Sequence, residues 1–218
     1  MSLVNMFTVR TLLEGKWPIL LLAVLLVVTL IWCPSRWAPI LPAALLVFVF
    51  SFFRDPTRAI PADPKLIVAP TDGKVVEITT VNEPLYFKGE AKMVGIFMSV
   101  FNVHVQRAPV AGRIELIKYS PGKFLDVRDP VAGTVNENRF IGIAGADGTR
   151  YGVRQIAGLI ARRIVGWADE GAGLAKGERI GMIRFGSRVD LLVPVDTEVV
   201  AKIGDRVKGG ETIVAKRK

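Results

Sequence analysis

Two apolar runs near the N-terminus limit what this chain can become more than any other feature. Residues 17–33, WPILLLAVLLVVTLIWC, carry no charged side chain. After Pro34-Ser35-Arg36 a second uncharged run fills 37–53, WAPILPAALLVFVFSFF. Each run has 17 residues, the short end of what crosses a bilayer core as a helix. Trp17, Trp32 and Trp37 fall at the ends of the runs, where amphipathic indole rings favour the membrane–water interface. A cleaved export signal fits poorly, because a second apolar run follows at once and no small-residue cleavage motif closes the first. A helical hairpin buried in a soluble domain is the other reading, but a membrane hairpin accounts better for so complete a lack of charge. The flanks set its orientation. Arg10 and Lys16 precede the first run, Arg54, Arg58 and Lys65 follow the second, and only Arg36 lies between. The bias of basic residues toward the cytoplasmic side puts both outer flanks there, with a tight turn outside. The expected organisation is a cytoplasmic segment at 1–16, a two-helix anchor at 17–53 and a cytoplasmic domain at 54–218.

The formal charge of +9 asks for an anionic partner, either nucleic acid or an acidic membrane surface. The single cysteine, Cys33, excludes an internal disulfide framework. The single histidine, His104, excludes sites that need two, and one Cys with one His does not make a zinc cluster, so no metal is expected. Nucleic-acid binding would rest on net charge and on Arg154, Arg162 and Arg163, without the interleaved aromatic residues of a binding sheet. A basic surface beside an anionic leaflet explains the charge more simply.

From about Ala62 the texture changes to short β-type runs punctuated by Gly, Pro, Asp and Asn, such as GKVVEITTV, AKMVGIFMSV and SRVDLLVP. GADG at 145–148 reads as a hairpin turn. QIAGLIARRIV is ambiguous by period, since Ile156, Leu159, Ile160 and Ile164 would share a helical face; its length and β-branching favour a strand. No long amphipathic helix separates the runs, so the domain is expected to be mainly antiparallel β. The C-terminal VPVDTEVVAKIGDRVKGGETIVA has the layout of half a lipoyl or biotinyl carrier domain, and VAPTDGKVVEI supplies a similar edge near the start. No lysine is displayed at a hairpin tip as a carrier requires. A barrel-sandwich geometry is expected, without the carrier function.

Three places can hold chemistry: Asp72 in APTDGKV, His104 in FNVHVQRAPVAG, and Ser187 in RFGS. An acid, an imidazole and a hydroxyl suit nucleophilic catalysis, in which the base takes the serine proton and the carboxylate orients the base. No G-x-S-x-G elbow surrounds Ser187, so a lipase-type nucleophile lacks support. A serine preceded by glycine can instead attack the carbonyl of its own peptide bond, because glycine presents no side chain to block the approach. Each residue also has a plain reading: Asp72-Gly73 as a turn, His104 as a core histidine, Arg107 as a solvated edge and Gly186-Ser187 as a bulge.

Taken in order, APTDGKV, FNVHVQRAPVAGRI, NENR at 136–139, RQIAGLIARRIV and RFGSRVDLLVP resemble phosphatidylserine decarboxylase in its short bacterial form, from about Phe52 to the end. The resemblance implies a proenzyme that cleaves itself between Gly186 and Ser187 into chains 1–186 and 187–218. Ser187 would become an N-terminal pyruvoyl group, the one cofactor expected. The substrate amine would join the pyruvoyl carbonyl as a Schiff base and lose CO2, turning phosphatidylserine into phosphatidylethanolamine at the bacterial inner membrane. Ser187, His104 and Asp72 would be the catalytic residues and Arg107 a candidate for substrate binding; assembly into a homo-oligomer is compatible with the sequence. Longer bacterial members read H-x-x-H-x-P where this chain reads HVQRAP, so His104 matches the first histidine and Arg107 stands at the second, the position associated with the self-cleavage base. As the lone imidazole, His104 has to serve maturation, decarboxylation or both, unless another group substitutes. Two alternatives stay open: decarboxylation of another serine phospholipid, and a membrane-anchored β adaptor without catalysis.

Overall fold

The computed structural model describes residues 6–129, 131–159, 163–184 and 187–217. Gly186 and residues 160–162 of the ambiguous run lie outside the described residues. The chain divides into two units, Met1–Thr57 and Arg58–Lys218.

The first unit holds two helices, α1 (Val9–Trp32) and α2 (Ile40–Phe52). Thr8 caps α1 by accepting from the backbone N–H of Thr11, whose own hydroxyl reaches back to the cap. The helix therefore starts well before the uncharged run and takes in Arg10, Glu14 and Lys16. At 24 residues α1 is long and apolar enough to cross a membrane. The second run departs from the expected matched hairpin. Its helix has 13 residues, roughly 20 Å at 1.5 Å per residue, short of a bilayer core of about 30 Å. The Trp-Ala-Pro opening of that run is the physical reason, since proline lacks the N–H a continuing helix needs and the helix begins only after Pro39. Gly15 lets α1 approach the end of α2 closely, because a Cβ there would stand 2.7 Å from the Phe53 ring.

The second unit is mainly antiparallel β. In chain order it forms β1 (Leu66–Val68), β2 (Gly73–Glu83), β3 (Gly89–Met98), β4 (Val105–Arg107) and β5 (Gly112–Ser120). A single turn, α3 (Ala132–Val135), leads into β6 (Asn138–Ala144), β7 (Arg150–Ile156), β8 (Arg163–Gly166) and β9 (Gly173–Leu174). The chain closes with β10 (Arg179–Arg184), β11 (Ser187–Val193), β12 (Glu198–Val199), β13 (Arg206–Val207) and β14 (Ile213–Lys216). An eight-stranded sheet runs β13-β2-β3-β11-β7-β6-β5-β9, and two three-stranded sheets run β4-β10-β8 and β1-β14-β12. β6 and β7 turn through GADG as expected, with Gly148 N–H donating to the Gly145 carbonyl. The carrier-like C-terminal stretch pairs with the start of the domain, β14 with β1 and β13 with β2. QIAGLIARRIV contributes to two strands rather than one, ending β7 in the large sheet and beginning β8 in a small one.

The order of β4-β10-β8 repeats that of β3-β11-β7, and the strands are consecutive in sequence. β3 leads to β4 through residues 99–104, β7 to β8 through 157–162, and β10 to β11 through 185–186. The ends align: Met98 pairs with Ser187 and Ile156 with Arg188, while Arg184 pairs with Arg163 on the far side. Three neighbouring strands thus pass from one sheet to the next at one level, leaving a seam in the ladder. Below it lies the main core, built by alternate residues of the central strands, among them Val94, Ile96 and Met98 of β3 and Val189, Leu191 and Val193 of β11.

Asn136 ties the seam to its neighbours. Its amide exchanges both hydrogen bonds with the backbone of Leu125, and its Nδ2 also donates to the Ala157 carbonyl at 2.8 Å. Asn136→Leu should therefore leave three backbone groups seeking partners, a cost of roughly 3 kcal/mol, the low end of about 1–3 per group because two of them are only part-buried. Thermal unfolding of the full chain in detergent should show a melting point lower by about 5–10 °C.

Candidate active site

Ser187 opens β11, a strand buried along its whole length. Strand alternation turns its hydroxyl to the core face, where it meets the sulfur of its cross-strand partner: Ser187 Oγ donates to Met98 Sδ at 3.3 Å. The same sulfur receives Thr71 Oγ1 at 3.1 Å and faces Gln106 Nε2 at 3.7 Å. A polarizable thioether is a weak acceptor, so it holds the serine hydroxyl without fixing it strongly.

His104 stands at the end of the crossing from β3 to β4 and is fully buried. The segment before it folds on itself, with Asn102 Oδ1 accepting from both the backbone N–H and the hydroxyl of Ser99. That turn aims the Asn102 carbonyl at the imidazole, 2.9 Å from Nδ1. A carbonyl only accepts, so Nδ1 carries the proton and the neutral ring keeps its lone pair on Nε2. The carbonyl of His104 takes the N–H of Ile183 and Nε2 of Gln106, which binds it to the strand that leads into Ser187.

A buried polar chain continues from there. Gln155 Nε2 donates to Gln106 Oε1 at 2.8 Å, and Arg139 Nη1 donates to Gln155 Oε1 at 3.1 Å. It stitches β4 of the small sheet to β7 and β6 of the large one beneath the seam. Burial lowers the pKa of the Arg139 guanidinium, against the pull of Asp169.

Asp72 sits in the turn between β1 and β2, one residue after Thr71. Its carboxylate is held by Arg58, whose Nη2 lies 2.9 and 3.0 Å from the two oxygens, and by the N–H of Gly209 at 2.8 Å. The group that orients Nδ1 of His104 is thus a backbone carbonyl, and Asp72 reaches Ser187 only through Thr71 and Met98. Arg107 is buried on β4, with Nη1 donating to the Gly177 carbonyl.

A cavity of about 260 Å³ opens at the end of β3, lined by Phe97, Met98, Ser99, Val100, Asp126, Val127, Arg128 and Leu159. Its floor includes the methionine that carries the Ser187 hydroxyl. Adjoining cavities share Phe97 with it: one reaches Glu77 and Arg188, the other Asp72, Asn102 and Phe101. Arg188 projects from the opposite face of β11 to Ser187 and bridges Asp190 at 2.6 Å and Glu77 at 2.7 Å. Gly95 makes this possible, since a Cβ there would stand 2.6 Å from Arg188 Nη2. Sequence reading missed Met98, Thr71, Gln106 and Arg58. Met98 and Gln106 read as strand core, Thr71 as part of the Asp72 turn, and Arg58 as a basic flank of the second apolar run.

A hydroxyl and a histidine stand at a sheet seam, linked through Met98, Gln106 and the His104 carbonyl and beside a largely apolar cavity, which makes strand ends of a β domain the candidate site. The phosphatidylserine decarboxylase family model matches residues 45–215. The chain is 43% identical over 206 residues to the phosphatidylserine decarboxylase proenzyme of Carboxydothermus hydrogenoformans, covering 94% of this chain and 95% of that one. It is 47% identical over 174 residues to the proenzyme of that name from Symbiobacterium thermophilum, covering 80% and 81%, and 46% identical over 167 residues to the one from Desulfotalea psychrophila, covering 77% and 78%. The chain belongs to the phosphatidylserine decarboxylase family and is an enzyme of the decarboxylase class.

Because Asp72 touches Arg58 rather than the imidazole, the two should act as one unit. Asp72→Asn and Arg58→Gln should each lower the melting point, and the double variant should be no less stable than the worse single one. Each should lose roughly 1.5–3 kcal/mol of stability, the worth of hydrogen bonds to a charged group. Thermal melts of the three variants check this; additive losses would mean that the two residues do not act as one unit.

Proposed function

We propose that the chain is a self-maturing decarboxylase of phosphatidylserine, with Ser187 the source of a pyruvoyl group. The observation that carries the reading is the place of Ser187: a buried hydroxyl at the first residue of a strand, at the seam, in a member of a family whose relatives are named proenzymes.

In maturation, Oγ of Ser187 attacks the carbonyl carbon of Gly186 and gives up its proton to a base. His104 is the candidate for that base, since its Nδ1 bond to Asn102 leaves Nε2 free of hydrogen in the neutral ring. The acyl group moves from the Ser187 nitrogen to its oxygen, which breaks the peptide bond and forms an ester. Removal of the Ser187 Cα proton expels Gly186 as a carboxylate and leaves dehydroalanine, which water converts to the pyruvoyl group and ammonia. The weak hold of Met98 Sδ on the hydroxyl suits this sequence, because the oxygen has to leave that contact to react. The site fits the group as well: the sulfur, Thr71 and Gln106 leave room for a small planar carbonyl unit without a competing charge. When formed, a pyruvoyl carbonyl supplies an electron sink for the bond that releases CO2.

In turnover, His104 is positioned to manage a proton at the reacting carbon, Asp72 with Arg58 holds the Thr71 turn in place, and Arg107, braced on Gly177, is the candidate for the substrate's anionic groups. The mature protein would comprise chains 1–186 and 187–218. The helix α1 would anchor it in the bacterial inner membrane, with the β domain on the cytoplasmic side as the basic flanks require.

Intact-mass spectra and assays on phosphatidylserine vesicles test the reading together. The wild type should resolve into two chains, the small one bearing a pyruvoyl N-terminus. Ser187→Ala should remain one chain without activity, and Ser187→Cys should cleave slowly or in part. His104→Ala should lower cleavage or turnover by roughly 10²–10⁴-fold, the usual worth of positioned acid–base catalysis. A wild type that stays a single chain while it decarboxylates would end the proposal.

A further inference from the structure

We propose that the seam end of the β domain docks on an anionic bilayer, with Phe101, Leu125, Val131 and Leu159 as the side chains that enter it. The inference rests on the reading that the substrate is a phospholipid. Phe101 is 73% exposed and Leu159 64%, and they come from two of the three crossings that make the seam. Val131 is 53% exposed and Leu125 36%, and both belong to the connection between β5 and β6. Asn136 holds that connection to the seam by bonding Leu125 and Ala157 at once.

Large apolar side chains protruding from loops are what interfacial binding uses, since burial in the headgroup boundary removes them from water. The charges around them agree. Lys123, Arg128, Lys74, Arg206 and Lys208 are exposed on the same loops or on the adjoining cavity that Phe101 lines. With Arg128 paired to Asp126, Asp72 to Arg58 and Lys208 to Glu211, Lys123, Lys74 and Arg206 stand against Asp129 and Asp205. Arg128 holds the Asp126 carboxyl down to about 2 through its hydrogen bonds, so that pair stays charged and does not desorb the surface by titration near neutral pH. Leu159 lines the cavity that Met98, the residue that carries the Ser187 hydroxyl, also lines, and Phe101 lines the adjoining one that shares Phe97. A lipid headgroup could then enter the site while its acyl chains remain in the leaflet. A second protein would be served by a flatter face; exposed apolar tips on the loops beside the two cavities, in a chain of net charge +9, fit a leaflet.

The test uses the full chain with Cys33→Ala, carrying single cysteines at Phe101, Leu125 or Leu159, and at Leu85 or Val195 as controls at the opposite ends of β3 and β11. Each is labelled with bimane and reconstituted in phosphatidylethanolamine–phosphatidylglycerol vesicles that contain a shallow doxyl lipid. Quenching at the three seam positions should exceed that at the controls by about threefold or more, and the gap should narrow in neutral phosphatidylcholine. Equal quenching at all five positions would overturn the proposal, as would a gap that is indifferent to lipid charge. Burial of the seam labels in detergent, with crosslinks between chains, would assign the face to a second copy instead and also overturn it. The readout needs neither cleavage nor turnover. Ser187→Ala should give the same pattern, whereas a wild type that shows it but neither cleaves nor decarboxylates would count against the decarboxylase reading alone.

Discussion

The antiparallel pairing of β3 with β11 sets the conditions for everything near the site, because it places Met98 opposite Ser187 at the level where three strands change sheets. A β-ladder satisfies its backbone groups as long as it continues; where it stops, each N–H and C=O needs another partner. Side chains and turns supply those partners here. Asn102 accepts from Ser99, Gln106 donates to the His104 carbonyl, and Asn136 serves Leu125 and Ala157. Two of the amide residues that repair the ladder also touch the candidate site: the Asn102 carbonyl meets the imidazole and Gln106 faces the sulfur that carries the serine hydroxyl.

This explains which parts of the site were legible in the sequence. The β character of the domain was open to reading because GKVVEITTV and SRVDLLVP carry the β-branched runs of buried strands, and the β6–β7 hairpin was marked by GADG. The hydroxyl and imidazole were legible because Ser187 follows a glycine and His104 is the sole histidine. Thr71, Met98 and Gln106 were not, since their part depends on cross-strand register and on a sheet change that no local pattern announces. The ambiguity of QIAGLIARRIV has the same origin: the run is strand at both ends and crosses the seam between them, so neither a period of 2 nor one of 3.6 persists. Asp72 shows the limit from the other side. A carboxylate, an imidazole and a hydroxyl suggested direct contact, but Arg58, from just before the domain's first strand, takes the carboxylate. Guanidinium–carboxylate attraction outweighs what a neutral imidazole offers.

The matched pair of apolar runs is a similar case. Absence of charge suggests a pair of spans, but length in residues is not length as helix. Proline near the start of the second run delays the helix until Ile40, and α2 ends at Phe52. The capped first turn at Thr8 does the opposite for α1, extending it through charged residues to a length that can span.

β11 also shows how one strand keeps a reactive group apart from the charges beside it. Successive side chains point to opposite faces, so Ser187 faces sulfur and hydrocarbon while Arg188 and Asp190 share the other side. On that side burial pushes the Asp190 carboxyl above its ordinary range, with Arg188 pulling it back. Burial lowers the Arg188 guanidinium in turn, but Asp190 and Glu77 outweigh the loss and raise it. On the proposed reading such a cluster would be costly next to Ser187, because a fixed positive charge would hold its oxygen as a poor nucleophile and a fixed negative one would oppose deprotonation. The pleat separates the two, and Gly95 gives the arginine its own space across the neighbouring strand. The charged face can then hold β2, β3 and β11 in register through Glu77, Arg188 and Asp190, while the opposite face stays nearly neutral around Ser187.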